Sequence, residues 1–188
     1  MNIVHRVKDA EHKHQPQFPI LPSHLALNET GIVGFGRFGQ FIGKSFSKYG
    51  RVVGTSRSDY TEIAESMGAT YIPLSDPEAF LAQGLDVIVF AVSIMSFEST
   101  VQSFVPHIQN DLEQRRAAGV NGVDVKGPLI VDVLSVKEHA RQVLLDLLPE
   151  ECDILCTHPM FGPDSVSGRA AAYIRWCSLV VVSISRAR

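Results

Sequence analysis

The chain has 188 residues, 45% apolar and 20% charged, and 17 Lys+Arg against 20 Asp+Glu leave a net charge of −3. That apolar share supports a sizeable core in one full domain and excludes wholesale disorder. A slightly acidic chain without a dense basic run argues against nucleic-acid and anionic-membrane partners, and apolar runs such as 87–92 and 179–182 fall far short of the roughly 18 residues of a membrane span.

Residues 1–27 carry His5, His12, His14 and His24 among Pro16, Pro19 and Pro22, with no sustained apolar period. A flexible, solvated N-terminal segment is predicted; His12 and His14 lack the Cys or carboxylate cluster of a metal site. The segment has no apolar stretch of secretory type, and one Arg and one Ser make it a weak transit peptide.

From residue 30 onward, short β-branched runs alternate with longer amphipathic ones. Residues 31–34 read as a buried strand, after which Phe38, Phe41, Ile42 and Phe46 recur at helical spacing until Gly50. Residues 51–55 read as a second strand, 61–67 as a helix closed by Gly68, and 69–72 as a short third strand. Asp76-Pro77 opens another helix, with proline at a tolerated first-turn position. Residues 86–92 form the clearest strand, apolar on both faces as at the centre of a parallel sheet. Residues 96–108 follow as a helix that Pro106 weakens near its end, and the polar, Gly-containing stretch 110–127 is expected to be a surface excursion. Residues 129–133 make a fifth strand, and 136–148 a helix with Val136, Ala140, Val143, Leu144 and Leu147 on one face. Residues 153–156 make a sixth strand and 179–184 a terminal one. This alternation specifies an α/β fold, a doubly wound parallel sheet of Rossmann-like type. Cys152, Cys156 and Cys177 are odd in number and spaced for neither a disulfide framework nor a zinc knuckle, so a reducing compartment is the simplest reading.

Gly34-Phe35-Gly36-Arg37-Phe38-Gly39 is G-x-G-x-x-G between the first strand and the first helix. The first glycine permits a tight turn, the second lets the backbone approach a pyrophosphate, and the third lets helix and strand pack closely. The free N–H groups and positive dipole end of the helix then face the phosphates, with Arg37 and Phe38 in its first turn. Residues 28–163 are therefore predicted to be a dinucleotide-binding domain. An NAD-preferring unit usually carries Asp or Glu at the end of the second strand. Here that end reads Gly54-Thr55-Ser56-Arg57-Ser58. Arg57 with Ser56 and Ser58 suits the 2′-phosphate of NADP, while Asp59-Tyr60-Thr61-Glu62 has capping-box spacing that assigns Asp59 to the next helix.

Two segments carry candidate chemistry. Asp132 to Lys137 lies at the carboxyl end of the fifth strand, where such sheets place ligands. Ser135-Val136-Lys137-Glu138 is also an S-x-x-E capping box, so Ser135 is either a cap alone or a cap bordering the site, and Lys137 either a solvated lysine or a cation near a substrate carboxylate. His158, fixed by Pro159 after the sixth strand, is placed for proton transfer; a histidine's ordinary pKa of about 6.5 suits a base at neutral pH. Hydride removal from a secondary alcohol needs such a base. The competing reading is a structural loop histidine. His107 and His139 fall on predicted helices and read as surface residues.

Together GIVGFGRFGQFIGKSF, TSRSDYTEIAESMGA, DVIVFAVSIMSFESTV, LIVDVLSVKEHA and DILCTHPMFGP resemble the plant and algal type of the arogenate/prephenate dehydrogenase family, over residues 30–163. The resemblance implies NADP-dependent oxidative decarboxylation of L-arogenate to L-tyrosine, with prephenate as the alternative substrate. It makes His158 the residue that hydrogen-bonds the ring hydroxyl and accepts its proton. Ser135 would help hold that hydroxyl or the nicotinamide, and Ser93 would line the cofactor side. It further implies a plastid location, with cytoplasm as the alternative, and a homodimer built through a second, helical domain. After THPMFGP the family continues into an ESGK-type segment and that domain, which supplies a substrate-carboxylate arginine. Ser165-Val166-Ser167-Gly168 departs from this pattern, leaving Arg169 and Arg175 unmatched and residues 164–188 a divergent tail. The expectation is a chain truncated before the helical domain, with a catalytically inactive NADP-binding fragment as the other reading.

Overall fold

Strands that are apolar on both faces must be covered from both sides, so helices of successive crossovers line the two faces of one sheet. The computed structural model describes residues 29–119, 125–159 and 162–163, and the backbone of 182–184. Strands β1 (Glu29–Val33), β2 (Arg51–Thr55), β3 (Thr70–Tyr71), β4 (Val87–Phe90), β5 (Leu129–Asp132), β6 (Ile154–Cys156) and β7 (Val182–Ile184) form one sheet in the order β3-β2-β1-β4-β5-β6-β7. Strands β1 to β6 pair in parallel; β7 adds to the β6 edge antiparallel. The doubly wound fold is as expected from the sequence. No helical second domain occurs among the described residues.

Helices α1 (Arg37–Phe46) and α2 (Thr61–Ser66) cover one face; α3 (Pro77–Leu81), α4 (Ile94–Ala118) and α5 (Lys137–Leu147) cover the other. The period of two in β4 makes this visible. Val87 and Val89 pack with Ile32, Ile42 and Val52, whereas Ile88 and Phe90 pack with Phe97, Val101 and Phe104 of α4. On that second face Phe104 meets Phe80 and Phe90 edge-on at centroid distances of 5.8 and 5.9 Å. Such contacts add about 0.5–1.5 kcal/mol each beyond area burial.

The expected surface excursion over 110–127 is corrected: α4 runs through Pro106 to Ala118. Proline removes one backbone donor, but the buried stripe Phe97, Val101, Phe104, Ile108, Leu112 continues across it at helical spacing. Beyond it, the Arg115 guanidinium pairs with Asp111 at 2.7 Å and donates to the Leu85 carbonyl at 2.9 Å, and Arg116 pairs with Glu151. Burial and these anchors outweigh one lost hydrogen bond. Residues 1–28, the 120–124 part of that stretch and 164–181, with Cys177 and both unmatched arginines, lie outside the described residues. Cys152 and Cys156 are both fully buried.

Candidate functional site

Strand register assembles the site. Thr55, Val33, Phe90, Asp132 and Cys156 stand opposite one another at the carboxyl ends of β2, β1, β4, β5 and β6. The segments that follow them therefore leave the sheet along one edge: Ser56-Arg57-Ser58, the glycine turn, Ser93, Ser135 and His158. At about 4.8 Å per strand, β1 and β6 lie roughly 14 Å apart along this row. Between β1 and β4 the chain reverses its direction of winding, with α1 on one face and α4 on the other, which opens the crevice where such sheets take ligands.

The three glycines of the turn do different work. Gly34 has φ +98°, and a Cβ there would stand 2.5 Å from the Ala91 carbonyl oxygen of the neighbouring segment. At Gly39 a Cβ would meet the Gly34 carbonyl oxygen at 2.2 Å. Gly36 is open, with nothing within 4 Å of such a carbon, and it occupies the cap position of α1 with no side-chain cap bond. Packing thus demands Gly34 and Gly39, while Gly36 leaves free space over a helix terminus whose first turn holds no acid. The turn is braced: the Gly34 and Phe35 amides donate to the Thr55 carbonyl at 2.8 and 3.1 Å, and Gln40 Nε2 donates to the Phe35 carbonyl at 2.9 Å. Arg37 is exposed at the first helical position and Phe38 is half-buried. Thr55 Oγ1 is buried beside this turn with no partner among the described residues. An uncapped helix end, open space over Gly36 and an unpartnered hydroxyl together fit a dinucleotide diphosphate.

At the end of β2 a cleft of about 450 Å³ is lined by residues including Ser56, Arg57, Asp59, Tyr71 and Ser75. Arg57 and Ser58 are exposed there. Ser56 differs from expectation, because its hydroxyl is directed at the Ser58 carbonyl at 2.7 Å. Asp59 is committed to α2: its Oδ1 accepts from Thr61 Oγ1 at 2.6 Å and from the Thr61 amide at 2.9 Å, bonds that hold its carboxyl below the ordinary value. This is a turn-type bond two residues on, so the expected reciprocal box with Glu62 does not form.

At the other end of the row, Ser93 sits exposed at the cap position of α4, its Oγ 2.9 Å from Ser96 Oγ. The capping role expected of Ser135 is corrected. Helix α5 starts at Lys137 with Val136 at the cap position and no side-chain cap bond, so Ser135 is exposed and makes no hydrogen bond among the described residues. Val136 is 49% exposed and leaves the helix's buried face. Lys137 is not a solvated lysine: its ammonium turns back onto Asp132 and also donates to the Thr157 carbonyl. Asp132 is fully buried; its Oδ1 also accepts from the Leu134 amide at 3.0 Å, and its Oδ2 has no partner among the described residues. Thr157, likewise buried, donates from its amide (3.0 Å) and its hydroxyl (2.7 Å) to the Asp132 carbonyl. Three bonds therefore fix the residue before His158, whose ring is half-buried at the row's end. Burial, and then the Asp132 carboxylate beside it, push the Cys156 thiol up to about 12.

Tyr71 and Thr157 were not identified from sequence. Their roles arise from contacts between distant segments: Tyr71 stands in no motif, and Thr157, though part of THPMFGP, carries no local sign of its bonds to Asp132 and Lys137. His107 is half-buried on α4 and His139 is exposed on α5. Among the described residues, no group of three or more His, Cys, Asp or Glu could hold a metal ion, and no helix is long and apolar enough to cross a membrane.

Residues 29–114 match the family model described as NADP oxidoreductase, coenzyme F420-dependent. Over 136 residues the chain is 44% identical to arogenate dehydrogenase 1, chloroplastic, of Arabidopsis thaliana, and over 135 residues 40% identical to arogenate dehydrogenase 2, chloroplastic, of the same plant. Over this stretch the chain is similar to arogenate dehydrogenases. Those alignments cover 72% and 71% of this chain but 19% and 33% of the relatives, so it spans a fifth to a third of their length. The fold is similar to that of a crystal structure of prephenate dehydrogenase from A. aeolicus in complex with hydroxyphenyl propionate and NAD+, with a TM-score of 0.52 and 17% identity over 72% of this chain and 43% of that one. The chain thus has a nucleotide-dependent oxidoreductase fold.

Proposed function

We propose that this chain binds NADP and contributes the hydride-transfer half of an oxidative decarboxylation that converts L-arogenate to L-tyrosine. The observation that carries the reading is the register, which sets His158 on the same sheet edge as the glycine turn. The amino end of α1 and Gly36 would hold the diphosphate, Arg57 and Ser58 the 2′-phosphate, and Ser93 would line the nicotinamide side. NADP, when bound, supplies the hydride acceptor. His158 takes the proton of the ring hydroxyl as the hydride leaves the carbon bearing it; the substrate carboxylate departs as carbon dioxide and its electron pair completes the aromatic ring. Ser135, with its hydroxyl uncommitted, orients that same ring hydroxyl. Lys137 and Thr157 hold the backbone from which His158 projects. Prephenate would present the same ring to these groups. The chloroplastic relatives favour a plastid location.

The test is the NADPH absorbance produced when the purified chain meets NADP and arogenate or prephenate. His158→Asn is expected to abolish turnover while leaving NADP affinity within about twofold, and unchanged turnover would remove His158 as the base. Arg57→Ala is expected to weaken NADP at least about tenfold more than NAD; equal effects would refute the 2′-phosphate assignment. NADP binding without turnover would select the inactive fragment.

A further inference from the structure

We propose that Tyr71 is a positioning residue for NADP selectivity, its hydroxyl bracketing the Ser56-Arg57-Ser58 segment so that Arg57 is presented to the 2′-phosphate. The inference rests on the NADP reading above. Tyr71 ends the short edge strand β3, in parallel register with Gly54 of β2. Its hydroxyl lies 2.9 Å from the Ser56 carbonyl oxygen and 2.5 Å from that of Ser58. A phenol has one proton to donate, so the two carbonyls share it, the nearer taking the larger part. Ser56 Oγ adds a second donor to the Ser58 carbonyl at 2.7 Å, and the Leu74 amide a second to the Ser56 carbonyl at 3.2 Å.

The consequence is a closed bracket around one residue. The carbonyls on either side of Arg57 are both drawn toward Tyr71, and Arg57 itself stays exposed at the cleft. A three-residue turn left to itself would sample many conformations, and ordering it on binding would cost affinity. Engaging these two carbonyls also keeps their negative ends occupied next to a cleft proposed to receive a phosphate. The bracket is rooted in the glycine turn: the Tyr71 ring lies 6.3 Å from that of Phe35, which is buried in the middle of G-x-G and packs where Gly54 has no side chain. The diphosphate site and the 2′-phosphate site thereby share one rigid support.

Tyr71→Phe keeps the ring and its packing on Phe35 and removes only the hydroxyl. Dissociation constants of the 188-residue chain for NADP, NAD and 2′,5′-ADP, measured by titration calorimetry, are the test. The variant is expected to bind NADP and 2′,5′-ADP about fivefold more weakly, the loss of one modest hydrogen bond and some pre-organisation, with NAD unchanged and the melting temperature close to that of the parent. Equal weakening of NADP and NAD would mark Tyr71 as structural only and overturn the inference. So would unchanged NADP affinity in a variant background where Arg57→Ala still discriminates, and there the 2′-phosphate reading would survive. A parent chain that binds NAD as tightly as NADP, and is indifferent to Arg57→Ala, would overturn both.

Discussion

Replacing Lys137 by methionine tests whether the carboxyl end of β5 is as dry as the structure shows. Asp132 is 0% exposed and Lys137 17% exposed. Removing the ammonium leaves the carboxylate with the Leu134 amide on Oδ1 and no partner on Oδ2 among the described residues. Breaking a buried pair in this one-sided way costs about 3–5 kcal/mol, because a desolvated charge loses its counterion. The partial exposure of Lys137 places the expected cost near the lower end, about 3 kcal/mol, which includes its bond to the Thr157 carbonyl. For a domain of this size that lowers the melting temperature by roughly 6–12 °C, a large part of an ordinary total stability of about 5–15 kcal/mol. Urea and thermal unfolding followed by circular dichroism measure it directly. The double variant Lys137→Met with Asp132→Asn removes the stranded charge and is expected to be more stable than Lys137→Met alone by about 1 kcal/mol or more. A loss below about 1 kcal/mol for the single variant, the size of a solvated surface pair, would refute the buried-pair reasoning.

The glycine turn separates folding from binding. Gly39→Ala must push against the Gly34 carbonyl and is expected to cost about 2 kcal/mol or more in unfolding experiments. Gly36→Ala meets nothing, so it should fold with less than about 1 kcal/mol lost yet bind NADP at least about tenfold more weakly; equal stability losses would contradict this division. Because the Cys156 thiol is raised from its ordinary 9.0 to about 12, the folded chain holds that proton more tightly than the unfolded one. Its contribution is fully present below pH 9 and is lost as pH rises toward about 12, and iodoacetamide at pH 8 should label Cys156 only in urea. Rapid labelling of the native chain would refute its burial. Pro106→Ala restores a helix donor on the exposed side of α4 and should add about 1 kcal/mol or more of stability; an unchanged melting temperature would show that the surrounding helix already accommodates the proline.

The parallel sheet, the order of its first six strands along the chain and the glycine turn were all legible in the sequence, because each is a local pattern: a period of two, a period of 3.6, or glycines at fixed offsets. The helix start at Asp76-Pro77 was legible too, and the structure adds that Asp76 caps it, its carboxylate accepting from the Ala79 amide at 3.0 Å. Patterns misled where tertiary partners overruled them. Pro106 reads as weakening a helix that stops at residue 108, yet Leu112 had a core to fill and Arg115 a carbonyl to reach. Ser135 reads as a cap, yet Lys137 is drawn to Asp132 and α5 starts beyond it.

What only the folded chain decides is which distant groups share an environment. Tyr71 meets Ser58, 13 positions away in the chain, and Lys137 meets Thr157, 20 positions away, separations at which no periodicity survives. The sequence determined the scaffold and the residue types at its working edge, since backbone sterics and hydrophobic burial act on neighbours along the chain. Tertiary structure alone decided how Arg57 and His158 are held, since hydrogen bonds and buried charges depend on distance in space.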